Sequence, residues 1–390
     1  MREVWISGAA MTRFGKHSDR TARELAEEAV AGALADAGVE AADVQCAYVG
    51  NAVAGVIDGQ ESIRGQVVLR NTGLMGVPIV NVENADASSS TALHLAWQAL
   101  ACGAHDCAVV LGYEKLDHVD LGRSFQAINA TIDLTELGDV FGPDAHERSV
   151  LMDVSAAITY GDGRERLTAE VLAQVAVKNH YHGSLNPCAH HQTAVTAERV
   201  LSSRAFAGPL TRLMCAPFSD GAACLVLTAG DVARGRPRGV RIAASVLHSG
   251  RGDDIELPYA VIPASREAYD RAGIGPEDLD VIEIHDATTI SEVMVYERLG
   301  LCAEGEPDRL VHERATWLGG RIPVNTSGGL LARGHPLGAT GAAQVVELVW
   351  QLQGRCGARQ VAGARVALAH SIGGWIGADV GAVCVHVLTR

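Results

Sequence analysis

Four side chains in this sequence have the type and setting for acid–base or nucleophilic work. Asp86 sits in Asn84-Ala85-Asp86-Ala87-Ser88-Ser89-Ser90-Thr91, between a mostly apolar run at 79–82 that reads as a buried strand and a helix-patterned segment from Ala92. A small-residue turn from strand to helix gathers free backbone N–H groups at the positive end of a helix dipole, which favours an anion. The plain alternative is a Ser/Asp helix cap. His285 opens His285-Asp286-Ala287-Thr288-Thr289 directly after a strand pattern at 281–284, where open α/β sheets place their sites. His335 stands in Asn325-Thr326-Ser327-Gly328-Gly329-Leu330-Leu331-Ala332-Arg333-Gly334-His335-Pro336-Leu337-Gly338-Ala339-Thr340-Gly341. Its rigid Gly-His-Pro turn suits a base that must keep its place. His370, in His370-Ser371-Ile372-Gly373-Gly374, ends a strand pattern at 366–369. Singly, each histidine reads as structural. Three at strand or loop ends, beside glycines and in one half of the chain, point to a site.

The elements that position them repeat. Ala37, Gly38 and Asp43 recur as Ala272, Gly273 and Asp278 at a constant offset of 272 − 37 = 235, and the same offset lays Gly50 on His285. Trp97-Gln98 before the strand pattern 108–111 is matched by Trp350-Gln351 before 366–369. The chain therefore reads as an internal duplication of a strand-and-helix unit. Each half is a mixed α/β sheet with helices on both faces. The halves span 1–235 and 236–390, with 235–239 (Gly-Arg-Pro-Arg-Gly) as linker and a loop domain at about 113–205 inserted in the first. That insertion holds His118, His146, His180, His182, His190 and His191 and a helix pattern at 169–179. Adjacent His190 and His191 diverge and lack a fourth ligand beside Cys188, so a surface loop is expected there and no metal site.

Composition narrows the class. A chain of 390 residues exceeds one ordinary core. With 48% hydrophobic and 20% charged residues it has ample surface to bury and no bias toward disorder. A formal charge of −14 without clustered Lys and Arg argues against nucleic acid. There is no run of about 18 apolar residues and no signal peptide, so a soluble cytoplasmic protein without a membrane span is expected. Nine cysteines without Cys-x-x-Cys spacing read as reduced thiols.

These motifs together resemble the thiolases, in particular the sterol-carrier-protein type and archaeal branch. The resemblance runs over essentially the whole chain: the context of 82–93, Ser219-Asp220-Gly221-Ala222-Ala223, His285-Asp286-Ala287, Tyr296-Glu297-Arg298-Leu299-Gly300-Leu301-Cys302, the Gly-His-Pro block and His370. It implies two stacked five-stranded mixed sheets with helices between, an inserted loop domain, and coenzyme A thioesters as substrates rather than a permanently bound cofactor. In such enzymes a cysteine takes the acyl group. Here that position is Asp86. His335 matches the residue that activates it, His285 the oxyanion site and His370 the second acid/base; Ser327, Gly328 and Gly373 match substrate-binding positions. Thr288 stands for the usual Phe, Ser371 for the usual Asn and Ser89 for a Gly.

A carboxylate would form a mixed anhydride rather than a thioester, so ordinary ping-pong thiolysis through Asp86 is not expected. Two readings follow. One is a thiolase-like enzyme that forms or cleaves a carbon–carbon bond of an acyl-CoA, by acyl transfer or aldol/Claisen chemistry, without the cysteine acyl-enzyme. The alternative is a catalytically reduced binding subunit supporting a partner protein. Ser88, Ser89 or Ser90 as a substitute nucleophile stays a third, narrower possibility. The resemblance further implies a homodimer or homotetramer, paired through strand 108–111 of the Asp86 half. It also allows a separately encoded zinc-ribbon/OB-fold partner.

Overall fold

The computed structural model describes residues 1–134, 166–230, 239–251, 259–376 and 379–390. His146 and most of the expected linker lie outside them. The strands are β1 (Val4–Met11), β2 (Cys46–Gly50), β3 (Ile79–Val82), β4 (Cys107–Lys115), the ribbon β5 (Ala205–Ala207) and β6 (Leu210–Thr211), β7 (Asp220–Ala229), β8 (Val240–Ser249), β9 (Val281–Glu283), β10 (Val366–Ile376) and β11 (Asp379–Thr389). The longer helices are α1 (Ala22–Ala37), α2 (Ser88–Ala101), α3 (Leu121–Asn129), α4 (Ala169–Ser184), α5 (Val261–Ala272), α6 (Thr289–Arg298) and α7 (Leu337–Leu352).

The duplication is physical. The first half has strand order β3-β2-β4-β7-β1 and the second β9-β10-β11-β8, and the two halves join through β1 and β8. Val324 adds a single parallel bridge to Ile282, in the place β3 holds beside β2. The β1–β8 junction is short, pairing Trp5 with Arg241 and Ile6 with Val240. At the offset-235 positions, Gly38 and Gly273 both end their helices in the left-handed conformation, φ 60° and 71°. Single 3₁₀ turns follow at Ala41–Asp43 and Pro276–Asp278. Thr21 caps α1 in a reciprocal capping box with Glu24.

Five layers result. α1 lays Leu25, Ala29 and Val30 on the outer face of the first sheet against Val49, Val109 and Val226. α2 and α7 fill the centre, where Leu93, Ala96, Val346 and Val349 meet Val110 and Leu225 from one sheet and Val281 and Ala367 from the other. On the far side, α4, α5 and α6 pack Leu172, Val261 and Val293 against Val246, Ile282 and Leu368. The apolar central layer holds the amino ends of α2 and α7 together, where Ser89 Oγ accepts from Ala342 N at 2.9 Å.

Several expectations need correction. Helix α2 starts at Ser88 rather than Ala92, because Ser88–Ser90 are buried between the sheets and fold into its first turn. The strand before the Asp86 turn is an edge, with Asn81 exposed and Val80 40% exposed. The run 108–111 is not an edge: β4 is paired on both sides, parallel to β2 and antiparallel to β7. Its apolar character reflects burial on both faces. His370 does not end its strand, since β10 runs on to Ile376 and His370 pairs with Val385 of β11. No helix among the described residues is long and apolar enough to cross a membrane.

Candidate active site

The Asp86 turn is wound tightly. Ala85 adopts a left-handed φ of 46°, Ala87 N donates to Asn84 O at 2.9 Å and Ser88 N to Ala85 O at 3.1 Å. This aims the Asp86 side chain out of the turn, and α2 has no side-chain cap. The carboxylate instead meets His335, Oδ1 to Nε2 at 2.9 Å. The cap reading therefore fails, and the three serines face elsewhere. Ser88 Oγ donates to Ala85 O at 2.6 Å, Ser89 Oγ is held by Ala342, and Ser90 Oγ is buried without a partner.

Thr340 orients the His335 ring: its Oγ lies 2.8 Å from Nδ1 and 3.0 Å from Pro336 O, which leaves Nε2 facing Asp86. Burial would raise the Asp86 pKa, but the hydrogen bond and charge of His335 outweigh it and the net shift is downward.

His285 stands edge-on to His335, ring centres 5.2 Å apart and planes at 87°. Burial, reinforced by the neighbouring His335 charge, lowers its pKa to about 3, so the ring is neutral. Burial does the same to His370, also to about 3. His370 Nδ1 receives a long hydrogen bond from His285 N at 3.5 Å, and its Nε2 is buried without a partner. Asp86, His285, His335 and His370 thus come together from four separate segments. Gly373 joins them as backbone: a Cβ there would lie 2.0 Å from Asn84 O and 2.8 Å from Ala87 N. Gly373→Ala is therefore expected to displace the Asp86 turn, costing about 1–3 kcal/mol and most of the activity. Thermal melts and turnover of that variant check both; a wild-type melt would contradict the packing.

Ser327 and Gly328 are placed differently. Ser327 Oγ donates to Glu283 at 2.6 Å and its N–H to the same carboxylate at 2.9 Å, while Arg333 also reaches Glu283 at 3.3 Å. Gly328 packs on Gly183, where a Cβ would fall 2.7 Å from Gly183 Cα. Neither lines the cavity beside Asp86 and His335.

That cavity, about 550 Å³, is lined in part by Asp86 and His335. Its walls include Thr288, Ile128 and the edge-on pair Phe125 and Phe218, 5.2 Å apart; Lys16, Arg204 and Arg212 also line it. Lys16 is paired with Asp117 at 2.6 Å, whereas Arg204 and Arg212 have no carboxylate partner among the described residues. His190 and His191 also line it, half-buried and 4.5 Å apart, rather than forming a surface loop. The reason is that Ser219 accepts from His190 Nδ1 at 2.8 Å and Ala332 O accepts from His191 N at 2.9 Å, tying the segment to the Gly-His-Pro block. Arg204 and Arg212 were invisible as a pair in sequence, since only the β5–β6 ribbon brings them together.

Beneath His285 lies a buried polar cluster that sequence reasoning missed. Asp286 accepts from Leu330 N at 2.7 Å and Asn179 Nδ2 at 2.9 Å, and burial beside Glu292 raises its pKa far above the usual carboxylate range. Glu292 is held by Lys178, by Asn179 at 2.6 Å and by Asn325 at 3.0 Å. Asn325, at a left-handed φ of 56°, also accepts from Ile284 N at 2.9 Å and so clamps the backbone just before His285.

Comparisons with known proteins agree with this architecture. Residues 4–231 match the family model described as "Thiolase, N-terminal domain" and residues 244–386 the one described as "Thiolase C-terminal domain-like". An acetyl-CoA acetyltransferase of Methanothermobacter thermautotrophicus is 39% identical over 398 residues, covering all of both chains. Sterol carrier protein 2 of Oryctolagus cuniculus is 36% identical over 391 residues, 95% of this chain and 70% of that protein. Among solved structures, the Ltp2-ChsH2(DUF35) aldolase superposes with a TM-score of 0.81 at 24% identity, covering 100% of this chain and 98% of that one.

Proposed function

Since the chain belongs to the thiolase family, we propose that it cleaves or forms a carbon–carbon bond of an acyl-CoA by aldol-type chemistry, without an acyl-enzyme. The observation that carries this is the Asp86–His335 pair, 2.9 Å apart in the wall of the cavity. It presents one base and one acid side by side. In the cleavage direction, the Asp86 carboxylate takes the proton of a 3-hydroxyl group. The O–H electrons form the new carbonyl, the C2–C3 bond breaks, and its pair becomes a thioester enolate. Neutral His285 and His370 can donate ring N–H groups to the enolate oxygen. His335 then gives its Nε2 proton to C2, and transfer across the Asp86–His335 contact restores the pair. No step needs the nucleophilicity that a carboxylate lacks.

Incubation with a panel of 3-hydroxyacyl-CoA and 3-oxoacyl-CoA substrates, read by mass spectrometry, tests the proposal. Release of a shortened acyl-CoA and a carbonyl compound from 3-hydroxy substrates supports it. Cleavage restricted to 3-oxo substrates and dependent on free CoA would overturn it.

The coenzyme's phosphates fit Arg204 and Arg212, two guanidiniums without a carboxylate partner among the described residues, on a chain of net negative charge. Replacing both with Ala is expected to weaken CoA binding at least about 10-fold by calorimetry. Absence of any binding to the parent at millimolar CoA would contradict the assignment. A homodimer would form through β3, the free edge of the Asp86 half. Light scattering should give twice 40.9 kDa; a monomeric parent at micromolar concentration refutes this. The aldolase above is assembled with ChsH2(DUF35), which supports a small, separately encoded partner here as well.

A further inference from the structure

Beyond the proposed reaction, and independently of it, we propose that Asp86, His285 and His335 form a binding site for a divalent first-row transition cation, with zinc as the probe. One oxygen of Asp86 and one ring nitrogen from each histidine lie within 4.8 Å of one another. Two imidazoles and a carboxylate, with a further position free, are a common donor set for such ions. Ligand atoms 2.0–2.2 Å from a shared ion would stand about 3–3.6 Å apart, so closing this triangle takes only side-chain adjustment.

Three further features favour an ion over an accidental cluster. His335 is already oriented as a ligand, because Thr340 holds its Nδ1 and leaves Nε2 on Asp86. Fixing the second ring nitrogen in this way is the usual outer support of a metal-bound histidine. His285 brings a second imidazole to the same point, edge-on to His335 with ring centres 5.2 Å apart. Its ring packs against His335 and its Nδ1 has no hydrogen-bond partner, so ligation breaks no existing side-chain contact of His285. His370 stays outside the set, whose converging ligand atoms are those of Asp86, His285 and His335.

The cavity provides both the route in and the open coordination position, because Asp86 and His335 line it. As the cation arrives, the hydrogen shared by Nε2 and Oδ1 leaves to solvent. Bound metal and the hydrogen-bonded pair are therefore alternative states of one site. Spacing in the sequence could not disclose it: residues 86, 285 and 335 come from three segments and lack any short ligand motif.

Cobalt(II) titration of the full chain, followed by visible absorption, tests the site without substrate. The expected result is one ion per chain, with d–d bands but without the intense thiolate charge-transfer band that the nine cysteines would produce. Zinc should displace it. His285→Ala and Asp86→Asn should each weaken cobalt affinity by at least about 10-fold, and Thr340→Val by about 10-fold through His335. Circular dichroism establishes that each variant is folded. Absence of a cobalt spectrum at millimolar metal, a thiolate band, or a spectrum unchanged in the folded Asp86 and His285 variants would overturn the proposal. These outcomes are separate from the proposed reaction, because binding is read without turnover and turnover without added metal.

Discussion

Asp86→Asn is expected to lower turnover by about 10²-fold or more while leaving the melting temperature close to that of the parent. Asparagine keeps the shape of the side chain and can still accept from His335 Nε2, now 2.9 Å from Oδ1 in the parent. It cannot take a proton. The negative charge facing His335 is lost with it, so acid and base fail together. Asp86→Cys has the opposite use. It places a thiol where the resemblance expects one, with His335 still able to activate it and His285 beside it. A mass increase on exposure to a reactive acyl-CoA is expected from this variant and not from the parent. Full activity of Asp86→Asn would make the carboxylate a relic, and the catalytic assignment would fall.

The second large effect is on stability. Lys178→Met should cost about 3–5 kcal/mol, because it leaves the Glu292 carboxylate uncompensated in a site with no solvent exposure. Glu292 is then served only by neutral donors, Asn179, Asn325 and Tyr296. Its charge also lies beside Asp286. The paired change Lys178→Met with Glu292→Gln should recover much of the loss, since it removes both buried charges. Denaturant titration of the single and double variants measures this. A double variant less stable than the sum of its single changes would contradict the coupling. Because Asn325 bridges Glu292 to the backbone before His285, the single variant should also lose activity where it remains folded.

Much of the architecture is legible in the sequence because duplication writes itself twice. The Ala-Gly helix ends and the following Asp turns repeat with their left-handed glycines. The histidine positions were legible for a local reason, since each adjoins a glycine-rich or strand-end segment. At the offset position, Gly50 packs where a Cβ would meet Ser89 N at 2.5 Å, whereas the second half carries His285 there. What escaped depends on contacts distant in sequence. The Lys178–Glu292 contact spans 114 residues, and neither partner has a local motif. Apolar content misassigned β4 as an edge, because a strand buried between two neighbours and an edge that pairs across a symmetry axis both read as Val and Leu. The resemblance marks Ser327 as a substrate-binding position, and in the fold its hydroxyl serves the buried Glu283.

The most direct measurement of the central claim is turnover of a 3-hydroxyacyl-CoA in deuterated water, with the products and the intact protein weighed from the same reaction. The Asp86–His335 account predicts that the released acyl-CoA carries deuterium at C2 while the protein mass stays that of the unmodified chain at every time point. Accumulation of an acyl group on the parent protein, mapped to Ser88, Ser89, Ser90 or a cysteine, would contradict it.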